Sequence, residues 1–209
     1  MTYGEIKTQF LGLMNRTDLR ASTALQTTFL QQGISRVART LRVPAMEKSI
    51  DYVVGASFSG IPMPNDFLQL INIEVANSTE VYTLTRGQLS RIKTLALQAG
   101  TPRKYARQGG KLLVGPAPSE DDVIRLDYYS DEHFSELTED ADTSIMTDVA
   151  WDAILYAALC AAGDYWDDKR LARWEARYSQ IMDDLDAQGD NDELSADAAV
   201  GPAYTYPED

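Results

Sequence analysis

The chain has 209 residues, of which 19 are basic and 32 acidic, so its formal net charge is -13 at pH 7. With 44% apolar residues it can form one sizeable domain or two small ones, and no apolar stretch reaches the ~20 residues that a membrane span requires. Its one cysteine and one histidine exclude an intrachain disulfide and a metal site built from cysteine and histidine side chains.

Two helices are predicted at the start of the chain. Thr2 and Glu5 have the spacing of a capping box, and apolar residues at helical intervals continue to about Asn15, where the first helix ends. The second helix, of roughly twenty residues, lies between Thr17 and Pro44, and its apolar residues step by four, three and four: Leu30, Ile34, Val37 and Leu41. No secretion signal is expected, because no basic head precedes an apolar run.

The apolar pattern changes to a two-residue period after residue 46. Alternation predicts strands near residues 50–54, 71–75, 81–84 and 123–129, and a hairpin that turns at Gln108-Gly109-Gly110. A short helix is predicted between residues 88 and 98, ended by Gly100-Thr101-Pro102. Residues 43–130 are therefore expected to form a β-rich insertion domain.

The last third of the chain is predicted to be helical again. One helix begins at Asp148 and is rich in alanine, which favours close packing against another helix, and Gly163 is interpreted as its break. The next helix carries apolar residues at steps of three and four and is predicted to end near Gly189. Residues 190–209 lack periodicity and bulky apolar groups, so we expect an extended acidic tail.

These elements predict an α+β fold. Residues 1–42 and 131–189 supply two helices each to a mainly antiparallel four-helix bundle, residues 43–130 interrupt it, and residues 190–209 follow as the tail. Helices that bracket an insertion usually pack together, because each needs a partner for its apolar stripe. Trp151 and Trp174 are expected to be largely buried in this bundle.

No enzyme activity, catalytic residue, cofactor or metal is predicted. His133 is expected in a surface loop among carboxylates and hydroxyls, and Cys160 is expected to be buried in the alanine-rich helix. Gly109-Gly110-Lys111 lacks the following serine or threonine and the upstream glycine of a phosphate-binding loop. One alternative stays open, a metal-dependent phosphoryl enzyme whose Mg²⁺ is held by aspartates: Asp164, Asp167, Asp168, Asp183 and Asp184.

The charges are unevenly distributed along the chain. Residues 1–48 hold seven basic and three acidic side chains, whereas residues 131–209 hold four basic and 21 acidic ones. The second helix carries a basic stripe at three-residue spacing: Arg36, Arg39 and Arg42. We expect this stripe to face the aspartates of a neighbouring subunit, among them Asp164, Asp167 and Asp168. The competing hypothesis is that the arginines pair with acids of their own subunit.

A second basic cluster lies in the predicted insertion domain. It surrounds Tyr105 and has four members: Arg103, Lys104, Arg107 and Lys111. Such a cluster can contact an acidic protein surface or the phosphates of DNA. Because the whole chain is acidic, sequence-specific DNA recognition is not expected.

Several short segments occur in a distinctive order between residue 1 and about residue 188. They are residues 13–18, 36–47, 63–68, 100–105, 112–118, 127–129 and 155–159. Each consists of packing and turn residues, so the specificity lies in their order. This order resembles that of the adaptor proteins of tailed bacteriophages, also called head-to-tail connector or head-completion proteins.

The resemblance implies a structural protein of the virion neck, synthesised in the host cytoplasm. Such adaptors are non-enzymatic, bind no membrane, and form rings, commonly of about twelve copies, that join the portal protein to a tail nozzle or another tail protein and continue the DNA channel. It implies that Tyr204, Tyr206 and Pro207 are portal anchors, and that the second basic cluster contacts a tail partner or DNA that passes through. The other class that stays open is an acidic regulatory module that binds a host protein.

Overall fold

The computed structural model describes residues 1–77 and 80–197, whose eight α-helices and eight β-strands confirm the predicted α+β class. The helices are α1 (Tyr3–Met14), α2 (Thr17–Ala21), α3 (Thr23–Thr40), α4 (Leu89–Leu95), α5 (Glu132–Ser135), α6 (Ile145–Val149), α7 (Trp151–Tyr165) and α8 (Leu171–Asp197). The strands are β1 (Glu47–Val53), β2 (Ile61–Pro62), β3 (Phe67–Ala76), β4 (Val81–Thr83), β5 (Thr85–Arg86), β6 (Lys104–Gln108), β7 (Lys111–Gly115) and β8 (Val123–Ser130). Within these two ranges, no helix combines the length and the apolar character that crossing a membrane demands.

The described residues form two compact units. Met1–Ala45 and the described part of His133–Asp209 make up a helical unit, and Met46–Glu132 make up a β-rich unit. The helical unit contains α1, α2, α3, α6, α7 and α8, and the β-rich unit contains the eight strands and α4.

The first helix has the predicted caps. The Glu5 backbone N–H donates to Thr2 Oγ1 at 3.2 Å, and the Thr2 N–H donates to Glu5 Oε2 at 2.9 Å, which completes a capping box. Asn15 follows α1 in the left-handed conformation, with φ 50°, and its N–H donates to the Leu11 carbonyl. The predicted start and end of this helix are therefore confirmed.

The predicted second helix is instead two helices. Ser22 is extended, and its hydroxyl accepts a hydrogen bond from the Leu25 N–H at 3.4 Å, so it caps the start of α3. The buried Gln26 side chain donates to the Leu19 and Arg20 carbonyls at 2.9 and 3.3 Å. These side chains form hydrogen bonds with backbone groups at the break between α2 and α3. The spacing of the apolar residues further along α3 gives no sign of this break.

The central helix of the helical unit is α7. It packs against α1, α3 and α8, and nine of its fifteen residues are buried. Helix α3 approaches it so closely that a Cβ built on Gly33 would lie 2.7 Å from the Ala158 backbone nitrogen. The expected close packing of the alanine-rich helix is confirmed, and a regular antiparallel four-helix bundle of α1, α3, α7 and α8 stays a prediction.

Gly163 does not break α7, so that prediction is wrong. It is buried inside the helix, and a Cβ built there would lie 3.0 Å from Cζ3 of Trp174 on α8. The missing side chain makes room for the indole, which is 7% exposed. The expected burial is confirmed for Trp174, whereas Trp151 is half-buried.

The last helix is longer than predicted. Helix α8 continues through Gly189 to Asp197, so the expected helix end and the extended tail from residue 190 are wrong for residues 190–197. One glycine costs a helix only about 1 kcal/mol, and the residues that follow include good helix formers: Glu193, Leu194 and Ala196. The predicted anchors Tyr204, Tyr206 and Pro207 lie outside the described residues.

The β-rich unit contains two four-stranded sheets. One is antiparallel with the order β1-β8-β3-β4, and the other has the order β2-β7-β6-β5, with β5 and β6 parallel. Side chains of both sheets share one core, which includes Ile73, Leu126 and Val114, and Ile92 of α4 packs against β6 and β7. The predicted hairpin is confirmed as β6–β7, with Gly109 at φ 59°.

Asp66 connects strands of the first sheet. Its carboxylate accepts hydrogen bonds from Lys48 Nζ at 2.9 Å, Ser130 Oγ at 2.9 Å and the Tyr128 hydroxyl at 3.1 Å. Burial alone raises the pKa of Asp66, but the hydrogen bond from Lys48 and those from the two hydroxyls outweigh it and hold the pKa below its usual range. Burial, followed by the hydrogen bond to Asp66, raises the pKa of Tyr128 to about 12. The network therefore stabilises the β-rich unit.

Candidate functional site

Arg36 is paired within its own subunit. Its two terminal nitrogens donate to the two Glu175 carboxylate oxygens of α8 at 2.9 and 2.7 Å, and its guanidinium carbon lies 4.2 Å from the centre of the Tyr178 ring. The hydrogen bonds from Arg36 hold the pKa of Glu175 below its usual range. The pair ties α3 to α8, so the geometry favours the hypothesis that Arg36 satisfies an acid of its own subunit.

The other two arginines of the predicted stripe have different roles. Arg42 follows the end of α3 and donates to the Ala38 and Arg39 carbonyls at 3.0 and 3.4 Å, which satisfies the helix end. Arg39 is exposed beside a polar groove of about 720 Å³ that runs along α3. Of the three predicted interface arginines, Arg39 therefore presents the most accessible guanidinium.

The predicted interface aspartates lie where α7 ends: Asp164 is in the last turn of α7, and Asp167 and Asp168 follow in the connection to α8. Asp168 accepts hydrogen bonds from the Arg170 backbone N–H at 2.9 Å and from its Nε and Nη2 at 3.0 and 2.8 Å, which lowers the pKa of Asp168 to about 2. Arg170 also donates to the last two carbonyls of α1 at 2.9 and 3.2 Å. Asp168 is thus held in an internal contact, whereas Asp164 and Asp167 are exposed.

The five aspartates considered for Mg²⁺ are not brought together. Asp183 and Asp184 lie in the middle of α8, roughly 20 Å along the helix from the turn that holds the other three. Across residues 1–77 and 80–197, no group of three or more histidine, cysteine, aspartate or glutamate side chains has the geometry of a metal site. The structure therefore gives no support to the phosphoryl-enzyme alternative.

Cys160 lies where predicted, and His133 does not. Cys160 is buried in α7, and burial raises the pKa of its thiol to about 12. His133 is half-buried in the short helix α5, so its assignment to a surface loop is wrong. The neighbouring Phe134 and Leu137 side chains are buried, which holds this segment against the helical unit.

The basic residues near the β6–β7 hairpin do not form one patch. Lys104 and Arg107 lie on opposite faces of β6, because successive strand residues alternate between faces. The Arg103 guanidinium carbon lies 4.5 Å from the centre of the Tyr82 ring, and Lys111 Nζ donates to the Ser59 carbonyl at 2.8 Å. The predicted cluster is therefore divided between two faces and partly bound within its unit.

A groove of about 650 Å³ runs along the first half of α8, and we name it the arginine groove. It is lined by Leu13, Tyr156, Arg170, Arg173, Trp174, Ala176, Arg177 and Gln180. The Arg170 guanidinium carbon lies 4.6 Å from the centre of the Trp174 ring, and Arg177 Nη1 donates to Gln180 Oε1 at 2.9 Å. The groove combines positive charge with apolar walls, which suits an acidic protein surface.

The sequence of the chain matches a known protein family. The family model described as SU10 adaptor protein matches residues 1–202. The chain belongs to this phage adaptor family. The resemblance to tailed-bacteriophage adaptors is thereby confirmed, and it gives the protein a structural adaptor role. A search of curated proteins found no match.

Membership in the family adds two general statements about this adaptor. The family implies association with other phage head or tail proteins, and it suggests a location in the virion neck. Phage structural adaptors are typically non-enzymatic.

Sequence reasoning missed the arginine groove of this adaptor. All four basic residues of the segment 131–209 fall between Lys169 and Arg177, but the strongly negative net charge of that segment conceals the local cluster. The pairing of Arg36 with Glu175 leaves no local signal, because 139 positions separate the two residues.

Proposed function

We propose that this adaptor forms a ring of about twelve copies in the virion neck, which joins the portal to the tail and continues the DNA channel. The family match over residues 1–202 is the observation that carries the proposal. The proposed partners are the portal protein and a tail nozzle or another tail protein. The subunits reach the neck after synthesis in the host cytoplasm.

The charge of the chain supports passage of double-stranded DNA. With a formal net charge of -13, the adaptor offers phosphates few strong binding sites, so DNA slides past without sequence-specific contact. Lys104 and Arg107 are proposed to contact the tail partner or the passing DNA from opposite faces of β6.

A closed ring requires that one face of each subunit bind a different face of its neighbour. In our proposal, α1, α3, α7 and α8 form an antiparallel bundle that carries these faces. Arg39, Asp164 and Asp167 are exposed and stay proposed interface residues, whereas the charged groups of Arg36 and Asp168 already bind partners in their own subunit.

Tyr204, Tyr206 and Pro207 are proposed to anchor the ring to the portal. Tyrosine supplies a large contact area at a small cost in side-chain entropy, which favours it in protein interfaces. A variant that lacks residues 198–209 is therefore expected to keep its melting temperature and to lose portal attachment. Unchanged attachment in a portal pull-down would reject these anchors.

The function is tested by electron microscopy of the purified adaptor with and without its portal protein. We expect rings on one end of the portal, with a central opening wide enough for double-stranded DNA. Portal particles without added density, at adaptor concentrations well above those of the portal, would contradict the proposal. If the protein were instead an acidic regulatory module, it would be a monomer or a dimer that does not bind the portal.

A further inference from the structure

A row of apolar side chains crosses the antiparallel sheet of the β-rich unit. Val53 of β1 is paired with Val123 of β8. On its other side Val123 is paired with Ala76 of β3, which is paired in turn with Val81 of β4. Residues directly opposite each other on neighbouring strands share one face of a sheet. The four residues therefore span the sheet over roughly 14 Å, and we name them the valine row.

The valine row faces away from the core. Val75 and Ile124, which are the strand neighbours of two of its members, are buried in the core that the two sheets share. Because successive strand residues alternate between faces, the row lies on the outer face of the sheet. Val53 and Val81, on the two edge strands, are 70% and 61% exposed. Exposed apolar surface of this kind, where polar groups surround it, is typical of a protein-binding site.

Acidic residues border the valine row at the end of the sheet, and we name them the acidic rim. Glu80 directly precedes Val81, and Glu120 and Asp121 lie in the connection that leads into β8. All three side chains are exposed, and none forms an ion pair with a described residue. The rim therefore offers three carboxylates to an external partner.

Arg125 lies in the next row of the same face, two residues from Val123. Its Nε and Nη2 donate to the two Asp51 carboxylate oxygens at 2.9 and 3.0 Å, and Glu74 lies opposite it on β3. One carboxylate thus neutralises this guanidinium and a second lies beside it. The valine row is therefore bordered by negative charge on this side as well.

Helix α4 covers the opposite side of the β-rich unit. Leu112 and Val114 of β7 contribute to the core that the two sheets share, whereas Leu113 packs with Ile92 of α4. Alternation along β7 therefore places α4 on the face of the second sheet that points away from the first. The valine row and the exposed side of α4 consequently lie on opposite sides of this unit.

The exposed side of α4 combines positive charge with a protruding apolar residue. Arg91 and Lys93 lie roughly 100° to either side of the buried Ile92, and Leu97 follows Lys93 by one turn. Leu97 is 88% exposed, and neither basic side chain forms an ion pair with a described residue. Residues 81–119, which include α4, contain seven basic and no acidic residues. We name Arg91, Lys93 and Leu97 the basic ridge.

We infer that the basic ridge of one copy of this chain binds the valine row and acidic rim of the next copy. The inference rests on the proposed ring and names a contact that joins its subunits. The two surfaces lie on opposite sides of one unit, so the contact joins unlike faces and repeats from copy to copy, as a ring requires. Leu97 packs on the valine row, while the two basic side chains pair with the rim carboxylates.

A second copy fits these surfaces better than a tail protein or DNA does. A contact between copies buries the exposed apolar groups of both surfaces at once, whereas a separate partner on one surface leaves the other exposed. DNA is repelled by the acidic rim, and its phosphates give Leu97 no apolar surface on which to pack.

The test uses two full-length charge-reversal variants and their mixture. R91E/K93E makes both surfaces acidic, and E80K/E120K gives the rim a positive charge, so that both surfaces are basic. Circular dichroism establishes that each variant is folded, and mass photometry with the portal protein measures assembly. Leu97→Ser tests the apolar part of the contact, with Leu13→Ser as its control outside both surfaces.

Two further variants control for net charge. R20E/K169E changes the charge by as much as the first variant, and E136K/E139K by as much as the second. All four of these positions are exposed and lie in the helical unit.

We expect each surface variant alone, including Leu97→Ser, to need a roughly tenfold or higher concentration for assembly. The equimolar mixture of the two charge variants is expected to regain assembly, because each contact again joins opposite charges. The controls are expected to assemble as the wild type does.

Assembly of both charge variants at wild-type concentrations would overturn the inference and leave the proposed function intact. A loss that the mixture does not restore, or that the controls share, would also overturn it, since the affected contact would then lie elsewhere. Normal assembly with loss of tail-protein binding would assign these surfaces to the tail partner and overturn the inference. Failure of the wild-type chain to assemble would overturn both the inference and the proposed function.

Discussion

Arg36 and Glu175 form a bidentate ion pair between α3 and α8, with N–O distances of 2.9 and 2.7 Å. Because the two side chains are 39% and 42% exposed, solvent screens the pair, and Glu175→Gln should lower the free energy of unfolding by only roughly 0.5–1.5 kcal/mol at pH 7. Urea unfolding of the wild type and the variant measures this difference.

The same pair predicts a pH dependence. Its partner lowers the folded-state pKa of Glu175, so the contribution is complete above the ordinary pKa of 4.5 and is lost as the pH falls through the folded-state value. The difference between wild type and Glu175→Gln should therefore shrink towards pH 3. Asp183→Asn, which removes an exposed carboxylate, serves as the control, and a difference that does not change with pH would contradict the assignment.

Gly33→Ala should destabilise the helical unit. The added Cβ would lie 2.7 Å from the Ala158 backbone nitrogen, and such overpacking costs about 1–3 kcal/mol, which exceeds the gain in helix propensity. Gly12→Ala in α1 is the matched control, because its Cβ would have no atom within 4 Å and should add up to ~1 kcal/mol of stability. Equal thermal shifts in the two variants would show that α3 and α7 do not approach this closely.

Trp174→Ala should cost about 3–5 kcal/mol, because it removes a buried indole that fills the space beside Gly163. Trp151→Ala, at a half-buried position, should cost clearly less. Chemical denaturation monitored by far-ultraviolet circular dichroism compares the two. A smaller loss for Trp174 than for Trp151 would contradict the packing of α7 on α8.

Asp66→Asn should weaken the β-rich unit by about 1–3 kcal/mol, because Lys48 and two hydroxyls lose a charged acceptor. Asp51→Asn is the control: its partner Arg125 is 54% exposed, so solvent screens this pair and its loss should cost clearly less than the loss of Asp66. Hydrogen exchange of β1 and β8 peptides reports the difference. Equal protection in the two variants would show that the Asp66 network is not structural.

The sequence correctly predicts the elements that are determined by residues close to one another in the chain. The caps of α1 depend on Thr2, Glu5 and Asn15, each beside the backbone group it satisfies, and the β6–β7 hairpin depends on Gly109. The α+β class follows from the change of apolar period near residue 46. Local chemistry therefore suffices for the class and for several element boundaries.

Features that depend on distant partners are not predicted. In the sequence, Gly163 indicates a helix break, but in the structure it makes room for the Trp174 side chain. Arg36 likewise indicates an interface residue in the sequence, but in the structure it pairs with Glu175. The strand order β1-β8-β3-β4 likewise joins segments that are far apart in the chain. The arginine groove is intermediate: its basic residues are close together in the sequence but are outweighed by the negative net charge of residues 131–209, and its walls require the fold.

The central claim is that this adaptor forms a ring on the portal, and native mass spectrometry of the purified complex tests it most directly. The account predicts that the mass of the portal assembly rises by close to twelve copies of the 23.2 kDa chain, and that raising the salt concentration releases them. A portal assembly that gains no mass, or gains a single copy at saturating adaptor, would contradict it.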